Sequence, residues 1–334
     1  MTLPSTYRAL WIEEQPDGTF KRSIATLPLE NLPENEVLIR VHFAGLNYKD
    51  ALSATGHKGI TRKFPHTPGV DAAGWVAHST SDSFQEGQEV LVTGYDLGMN
   101  TFGGFSEYVR VPAEWVIPLP EGINLREAMV LGTAAFTAGL SLTKMERIGL
   151  NPSQGPVLVT GASGGVGSMA VAILALAGYE VIASTGSKDA HEFLKSLGAS
   201  TIIDREEAND NSGRPLLRSR WAGAIDTVGG NTLVTAVKAC SRKGSIAACG
   251  LVASHEIQMT VYPFLLNGIN LLGVDSAETD RPLRLEVWKK LSGDWRIPQI
   301  DRLGELCSLE EISATQIDRI LAGNTRGRVV AILA

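Results

Sequence analysis

Residues Val157 to Gly167 read V-L-V-T-G-A-S-G-G-V-G, an apolar strand running straight into a glycine-rich turn. Met169 to Gly178 continue as M-A-V-A-I-L-A-L-A-G, a small-residue helix closed by glycine. Strand, tight turn and helix N-terminus together make a site for a dinucleotide phosphate. Glycines let the backbone approach the pyrophosphate, and the helix N-terminus offers free N–H groups and a positive dipole end. The spacing G-x-G-x-x-G is not met, because Ser163 stands where the second glycine would be. Gly161, Gly164 and Gly167 instead recur at every third residue. An ordinary glycine-rich turn would share this composition, but both flanks here fit a phosphate loop.

The next strand, Tyr179 to Thr185, ends in Ser184, Thr185, Gly186, Ser187 and Lys188. A site for NAD places an acid at this strand end to bind the ribose 2′-hydroxyl. No acid precedes Asp189. Hydroxyls, backbone N–H groups and cations suit a 2′-phosphate, which a carboxylate would repel. Arg205 follows the strand Thr201 to Asp204, and adjacent strand ends of a parallel sheet share one rim. Lys188 and Arg205 would otherwise be solvated surface charges. The residues favour NADP(H) over NAD(H).

These groups need elements to hold them. Candidate strands Val157–Thr160, Glu180–Thr185, Thr201–Asp204, Gly223–Val228, Ser245–Cys249 and Asn270–Val274 are interleaved at first with helical patterns such as Ala190–Leu197. That alternation predicts a doubly wound parallel α/β (Rossmann) sheet in the order 3-2-1-4-5-6. Before it, Tyr7–Glu14, Glu36–Phe43, Trp75–Ser79, Glu89–Tyr95, Phe105–Val111 and Trp115–Pro118 read as short strands split by Pro and Gly turns. These predict an antiparallel, barrel-like β domain with poor helical signal until Leu125. The tail carries helical patterns at Arg281–Leu291, Ser308–Ile312 and Ala314–Leu321, then a last strand in R-G-R-V-V-A-I-L-A. The expected division is a substrate domain over residues 1–130, a nucleotide domain over 131–278, and a return of 279–334 to the first domain, with a cleft between the two.

A chain of 334 residues suits two cores. A net charge of −6 leaves no basic footprint for nucleic acid or membrane surfaces. No apolar run reaches the roughly 18 residues of a membrane span, and the start, M-T-L-P-S-T-Y-R, lacks the apolar core of a signal peptide. Cys240, Cys249 and Cys307 form no metal-like cluster and no even disulfide framework, as expected in a reducing cytoplasm.

With this order in view, the chain resembles the medium-chain dehydrogenase/reductase superfamily over essentially its full length, with a GroES-like β domain. It is more closely similar to the zinc-independent quinone oxidoreductase-like members, in the acrylyl-CoA reductase branch. The segments that carry this are L-N-Y-K-D-A-L (Leu46–Leu52), F-P-H-T-P-G-V-D-A-A-G (Phe64–Gly74), G-T-A-A-F-T-A (Gly132–Ala138), T-G-A-S-G-G-V-G (Thr160–Gly167), L-K-S-L-G-A (Leu194–Ala199), W-A-G-A-I-D-T-V-G (Trp221–Gly229) and G-V-D-S (Gly273–Ser276). The three places that hold catalytic zinc ligands in the superfamily's alcohol dehydrogenases carry Asn47, Val70 and Thr133 here. Asn is a poor zinc ligand and Val is none, so no metal is expected.

Without a Lewis acid, reduction of an activated double bond is easier to support than alcohol oxidation. Hydride goes to the β-carbon, charge moves to the carbonyl oxygen, and a donor holds the enolate until a proton reaches the α-carbon. Tyr48, with Asn47 beside it, is the candidate catalytic donor. The resemblance also places Tyr48 against the cofactor, although a packed aromatic with a wet hydroxyl is the plainer alternative. The resemblance further implies Thr137 near the nicotinamide, Ser163, Gly164, Gly165 and Val166 at the pyrophosphate, and Thr185, Gly186, Ser187 and Arg205 at the 2′-phosphate. It implies Leu251, Leu265 and Ser276 on the nicotinamide side, and Asn324 in a polar segment that matches only loosely. Close relatives often carry Arg where Ser187 stands, which implies either a weaker grip on the 2′-phosphate or one taken over by Lys188.

A CoA thioester needs cations for its phosphates. Lys58, Arg62, Lys63 and Arg326 are candidates, a solvated charge cluster being the alternative. The implied activity is NADPH-dependent reduction of a short 2-enoyl-CoA, such as acrylyl-CoA to propionyl-CoA. A quinone or free enone reductase, and a cofactor-binding regulatory protein without turnover, remain open beside it. A homodimer is implied through the edge strand Asn270–Val274, whose apolar N-L-L-G-V would otherwise be an aggregation hazard.

Overall fold

The computed structural model describes residues 3–333. Met1 and Thr2, and Ala334, with which the expected last strand R-G-R-V-V-A-I-L-A ends, lie outside the described residues. The chain divides into two compact units. One comprises Met1–Thr133, Ala277–Glu286 and Gln299–Ala334; the other comprises Ala134–Ser276 and Val287–Pro298.

The first unit opens with β1 (Thr6–Glu14) and β2 (Phe20–Pro28), an antiparallel hairpin running from Thr6↔Pro28 to Glu14↔Phe20. Then come β3 (Val37–Gly45), α1 (Tyr48–Ala54), β4 (Asp71–Ser79), β5 (Glu89–Thr93), β6 (Tyr108–Val111), β7 (Ile117–Pro118) and the start of α2 (Leu125–Arg147). Val37, Ile39 and Val41 alternate along β3 into a core shared with Leu10, Val90 and Val109. This period of two gives the strand one continuous buried face, while Leu38 on the opposite face joins a second cluster with Tyr7 and Tyr108.

The second unit runs through β8 (Val157–Val159), α3 (Gly165–Leu176), β9 (Val181–Thr185), α4 (His191–Ser196), β10 (Thr201–Asp204), β11 (Trp221–Asp226), α5 (Gly230–Lys238), β12 (Cys240–Ala248), α6 (Tyr262–Asn267) and β13 (Asn270–Gly273). Its sheet is parallel, in the order β10-β9-β8-β11-β12-β13, which is the predicted 3-2-1-4-5-6. Leu158, Ala224 and Ile246 on three neighbouring strands fill its core with Trp221, Leu233 and Val237.

After α7 (Arg281–Ser292), the tail forms β14 (Gly304–Ser308), α8 (Leu309–Glu311), α9 (Ile317–Leu321) and β15 (Arg328–Ile332). β15 lies antiparallel to β3 and parallel to β14, so the first unit's sheet reads β14-β15-β3-β4-β5-β7, with β6 also on β3. Of the tail expected to return over 279–334, Gln299 onward lies in the first unit, whereas Val287–Pro298 lie in the second.

Several local expectations need correction. Asn47 to Asp50, which follow the strand expected over Glu36–Phe43 and carried no helical expectation, are the N-cap in extended backbone and the first turn of α1. β2 and β14 carried no strand reading in the sequence. α2 is broken at Gly132, whose φ of +47° and ψ of −156° are not helical, and its apolar stretch is 89% buried inside the protein, as in a core helix.

Candidate functional site

In the second unit, the glycine turn joins β8 to α3 at the point where strand order reverses. Gly161 has φ +58°, and a Cβ at Gly167 would run into the Gly161 carbonyl oxygen. Both glycines are therefore demanded by the turn itself. Gly164 is different: a Cβ there would find its nearest neighbour at 3.4 Å. Nothing in the protein requires Gly164 to be bare, whereas a ligand approaching the helix N-terminus would. Gly164 is the N-cap of α3, and Gly165 and Val166 are its first residues.

The turn is laced to the neighbouring strand end. Ser163 Oγ and Thr185 Oγ1 lie 3.1 Å apart, and the Ala162 N–H donates to Ser184 O at 3.0 Å. The Ser187 N–H donates to Thr185 Oγ1 at 3.1 Å. Arg205 lies over Gly186 so closely that a Cβ at 186 would collide with its guanidinium. Thr185 also pairs with Asp204, the residue before Arg205. Ser163, Thr185, Gly186, Ser187 and Arg205, singled out separately in the sequence, are thus brought together at the rim of one sheet. Lys188 begins a short helical turn beside them. Among the described residues Arg205 has no ion-pair partner, so its charge is available to an anion.

In the first unit, the site is built around a buried ion group that the sequence reading missed. Arg328, at the start of β15, is 3% exposed and Asp71, at the start of β4, is 0% exposed. Arg328 donates to Asp71 Oδ2 (3.3 Å), to Asn47 Oδ1 (3.0 Å) and to the carbonyls of Leu46 (3.0 Å) and Val130 (3.2 Å). Asp71 also accepts from Asn47 Nδ2 (2.8 Å), the Thr133 N–H (2.9 Å) and Thr133 Oγ1 (2.5 Å). Gly132 has φ +47°, and a Cβ there would strike Asp71 Oδ2. Asp50 is buried close by and accepts N–H groups from Asn47 (2.7 Å) and Val70 (2.9 Å). Burial, then the Asp71 charge, pushes its carboxyl up to about 7, against the pull of those two N–H groups and Arg328.

This donor set does not fit a metal. Asn47 gives its amide hydrogens to Asp71 and to Gly45 O, and its oxygen faces the Arg328 guanidinium. Thr133 donates its hydroxyl to Asp71, and Val70 has only its N–H to offer, already on Asp50. A divalent ion would find a fixed cation in place and no three free ligands. Asn47 is also corrected as a catalytic donor. Its side chain is a fastener holding the start of α1, and no hydrogen is left for a substrate.

Tyr48, one residue on, is 40% exposed. Its hydroxyl has no hydrogen-bond partner among the described residues, which suits a donor awaiting a ligand and a packed ring with a wet hydroxyl alike. Lys58, Arg62 and Lys63 are exposed, but Lys58 pairs with Glu14 at 2.8 Å and sits over the Phe20 and Phe64 rings at 5.3 and 5.0 Å. Arg326 and Asn324 are exposed in the segment before β15. Thr137 is buried in α2, and Ser276 is half-buried. Leu251 and Leu265 are 63% and 75% exposed, among a run of apolar side chains over 251–266 that includes Val252, Val261, Tyr262 and Leu266.

Residues 33–121 match the model of the alcohol dehydrogenase GroES-like domain, and residues 165–290 that of the zinc-binding dehydrogenase. The chain is similar to the acrylyl-CoA reductase AcuI of Ruegeria pomeroyi, with 41% identity over 325 residues, 97% of this chain and 98% of that one. It is 42% identical over 332 residues, 99% and 100% of the two chains, to Bacillus subtilis (strain 168) YhfP, named provisionally as a quinone oxidoreductase. The solved structure of YhfP with NAD bound superposes with a TM-score of 0.95 over 99% of this chain and 100% of that one. The YhdH oxidoreductase of Salmonella enterica, solved in complex with NADP, gives 0.94 at 42% identity, over 98% and 100%.

Proposed function

The chain belongs to the medium-chain dehydrogenase/reductase superfamily, and on that footing we propose that it is a metal-independent NADPH oxidoreductase reducing the activated double bond of a short 2-enoyl-CoA, acrylyl-CoA to propionyl-CoA. The observation that carries the proposal is the pairing of an unengaged Tyr48 hydroxyl with a metal place filled by Arg328 and Asp71. Bound NADPH supplies a hydride. The glycine turn at Ser163 to Val166 holds its pyrophosphate. Thr185, Gly186, Ser187 and Arg205 hold its 2′-phosphate. Thr137, Leu251, Leu265, Ser276 and Asn324 are assigned to the rest of the cofactor.

The substrate's β-carbon gains the hydride, and its π electrons move to the thioester oxygen. Tyr48 donates a hydrogen bond to that oxygen, and a proton then adds at the α-carbon. Asn47 and Asp71 keep the first turn of α1 in place. Arg62, Lys63 and Arg326 are assigned to the CoA phosphates. Lys58 is the weaker candidate because Glu14 already holds it. A quinone or free enone reductase would use the same donor without these cations, and the YhfP likeness favours keeping that second reading. Incubation with acrylyl-CoA and NADPH is expected to yield one propionyl-CoA per NADPH consumed, read by mass spectrometry. NADPH loss without that product would reject the assignment.

Three expectations follow from these assignments. Arg205→Ala should weaken NADPH by about 10- to 150-fold and NADH little, since a charged hydrogen bond contributes about 1.5–3 kcal/mol. Titration of both cofactors checks this, and equal losses would contradict it. Chelator treatment should leave turnover unchanged, with zinc measured well below one per chain; a requirement for added zinc would contradict the donor-set argument. Finally, β13 ends its sheet and the exposed apolar side chains gather at 251–266 just before it. A second copy would cover both, so light scattering at micromolar concentration should give a homodimer, and a monomer would reject it.

A further inference from the structure

At the far side of the glycine turn from Thr185 lies a second, fully buried connection. Thr160 and Asp226 are both 0% exposed. They end adjacent parallel strands 66 residues apart in the chain, and Thr160 Oγ1 donates to Asp226 Oδ1 at 2.7 Å. The same hydroxyl accepts the Thr227 N–H at 3.0 Å, and Thr227 Oγ1 donates to Thr160 O at 2.9 Å. Asp226 Oδ2 accepts the Gly229 N–H at 2.8 Å, just before α5. Its backbone oxygen takes the Cys249 N–H at 2.9 Å, at the end of β12. Burial pushes the Asp226 carboxyl up, and the Thr160 hydroxyl with the Gly229 and Val228 N–H groups pull it back.

Thr160 is the residue immediately before Gly161, where the turn adopts its positive φ. The brace therefore sets where the turn leaves β8. Without it, the N–H groups of the turn would have to be ordered at the expense of ligand binding. We propose that Thr160 and Asp226 are positioning residues for the cofactor pyrophosphate, holding the glycine turn in its binding geometry without touching the ligand. This rests on the reading that the turn holds the pyrophosphate. It adds that the grip is prepared from beneath by a hydroxyl–carboxylate pair.

The test compares NADPH with 2′-AMP, which carries the 2′-phosphate but no pyrophosphate, using titrations of the full chain. Thr160→Val should raise the NADPH Kd at least tenfold and the 2′-AMP Kd less than twofold, with kcat at saturating NADPH within threefold of the parent. Thr160→Ser keeps the hydroxyl and should restore NADPH binding to within threefold. Gly164→Val, whose Cβ would meet nothing in the protein closer than 3.4 Å, puts a side chain where the pyrophosphate must approach and should weaken NADPH strongly. If Thr160→Val gives no cooperative melt, Asp226→Asn is read against the same tenfold expectation.

Loss with Gly164→Val but none with Thr160→Val would overturn the brace while sparing the phosphate reading. Retention by both variants would overturn the two together. Equal loss of NADPH and 2′-AMP with Thr160→Val, or a Ser variant as weak as Val, would also overturn the brace.

Discussion

Replacing Arg328 with Met is expected to cost about 3–5 kcal/mol of stability, because it leaves Asp50 and Asp71 buried with no cation beside them. The guanidinium cannot be replaced by packing alone. Its four hydrogen bonds tie Asp71 and Asn47 to the carbonyls of Leu46 and Val130, from three separate stretches of chain. Loss of the donor also strands those acceptors, each at about 1–3 kcal/mol if left unpaired in the interior. The melting temperature should fall by roughly 6–15 °C. Replacing Asp71 with Asn as well should recover part of that loss, since it removes the carboxylate that Arg328 pairs directly. An Arg328→Met protein melting within 2 °C of the parent would contradict the buried-ion account.

Tyr48→Phe is expected to lower kcat by about 10- to 1000-fold with NADPH affinity changed little. The ring and its contacts remain, so only the hydroxyl is tested. That hydroxyl sits at the first turn of α1, where Asn47 is clamped by Asp71 and Arg328 and Asp50 closes back on the Asn47 N–H. That clamp fixes the backbone from which Tyr48 projects, so a hydroxyl acting as donor there has less left to order when it meets developing negative charge. A rate within threefold of the parent would assign Tyr48 to packing against the cofactor and move the donor role elsewhere.

Periodicity and glycine placement made the nucleotide unit legible: the six strands and the turn follow from local sequence, and the strand order from the common topology of doubly wound sheets. Arg205 was legible too, because a parallel sheet brings consecutive strand ends to one rim. What stayed hidden depends on contacts distant in sequence. Asp71 and Arg328 are 257 residues apart. The available signal was a lone acid in the apolar run V-D-A-A-G-W-V and an Arg opening the closing apolar strand. Each had to find a partner if buried. The helix α1 was missed because seven residues barely complete two turns, and its capping Asn47 follows directly on a strand pattern. β2, F-K-R-S-I-A-T-L-P, owes its strand to pairing with β1 rather than to any apolar face of its own.

The central claim is reduction of an acyl-CoA double bond with NADPH and without metal. Its most direct test is NADPH oxidation measured side by side with acrylyl-CoA, acrolein and a naphthoquinone, comparing kcat/KM. The account predicts acrylyl-CoA as the most efficient of the three. A wild-type protein that ignores acrylyl-CoA while turning over the naphthoquinone would contradict it.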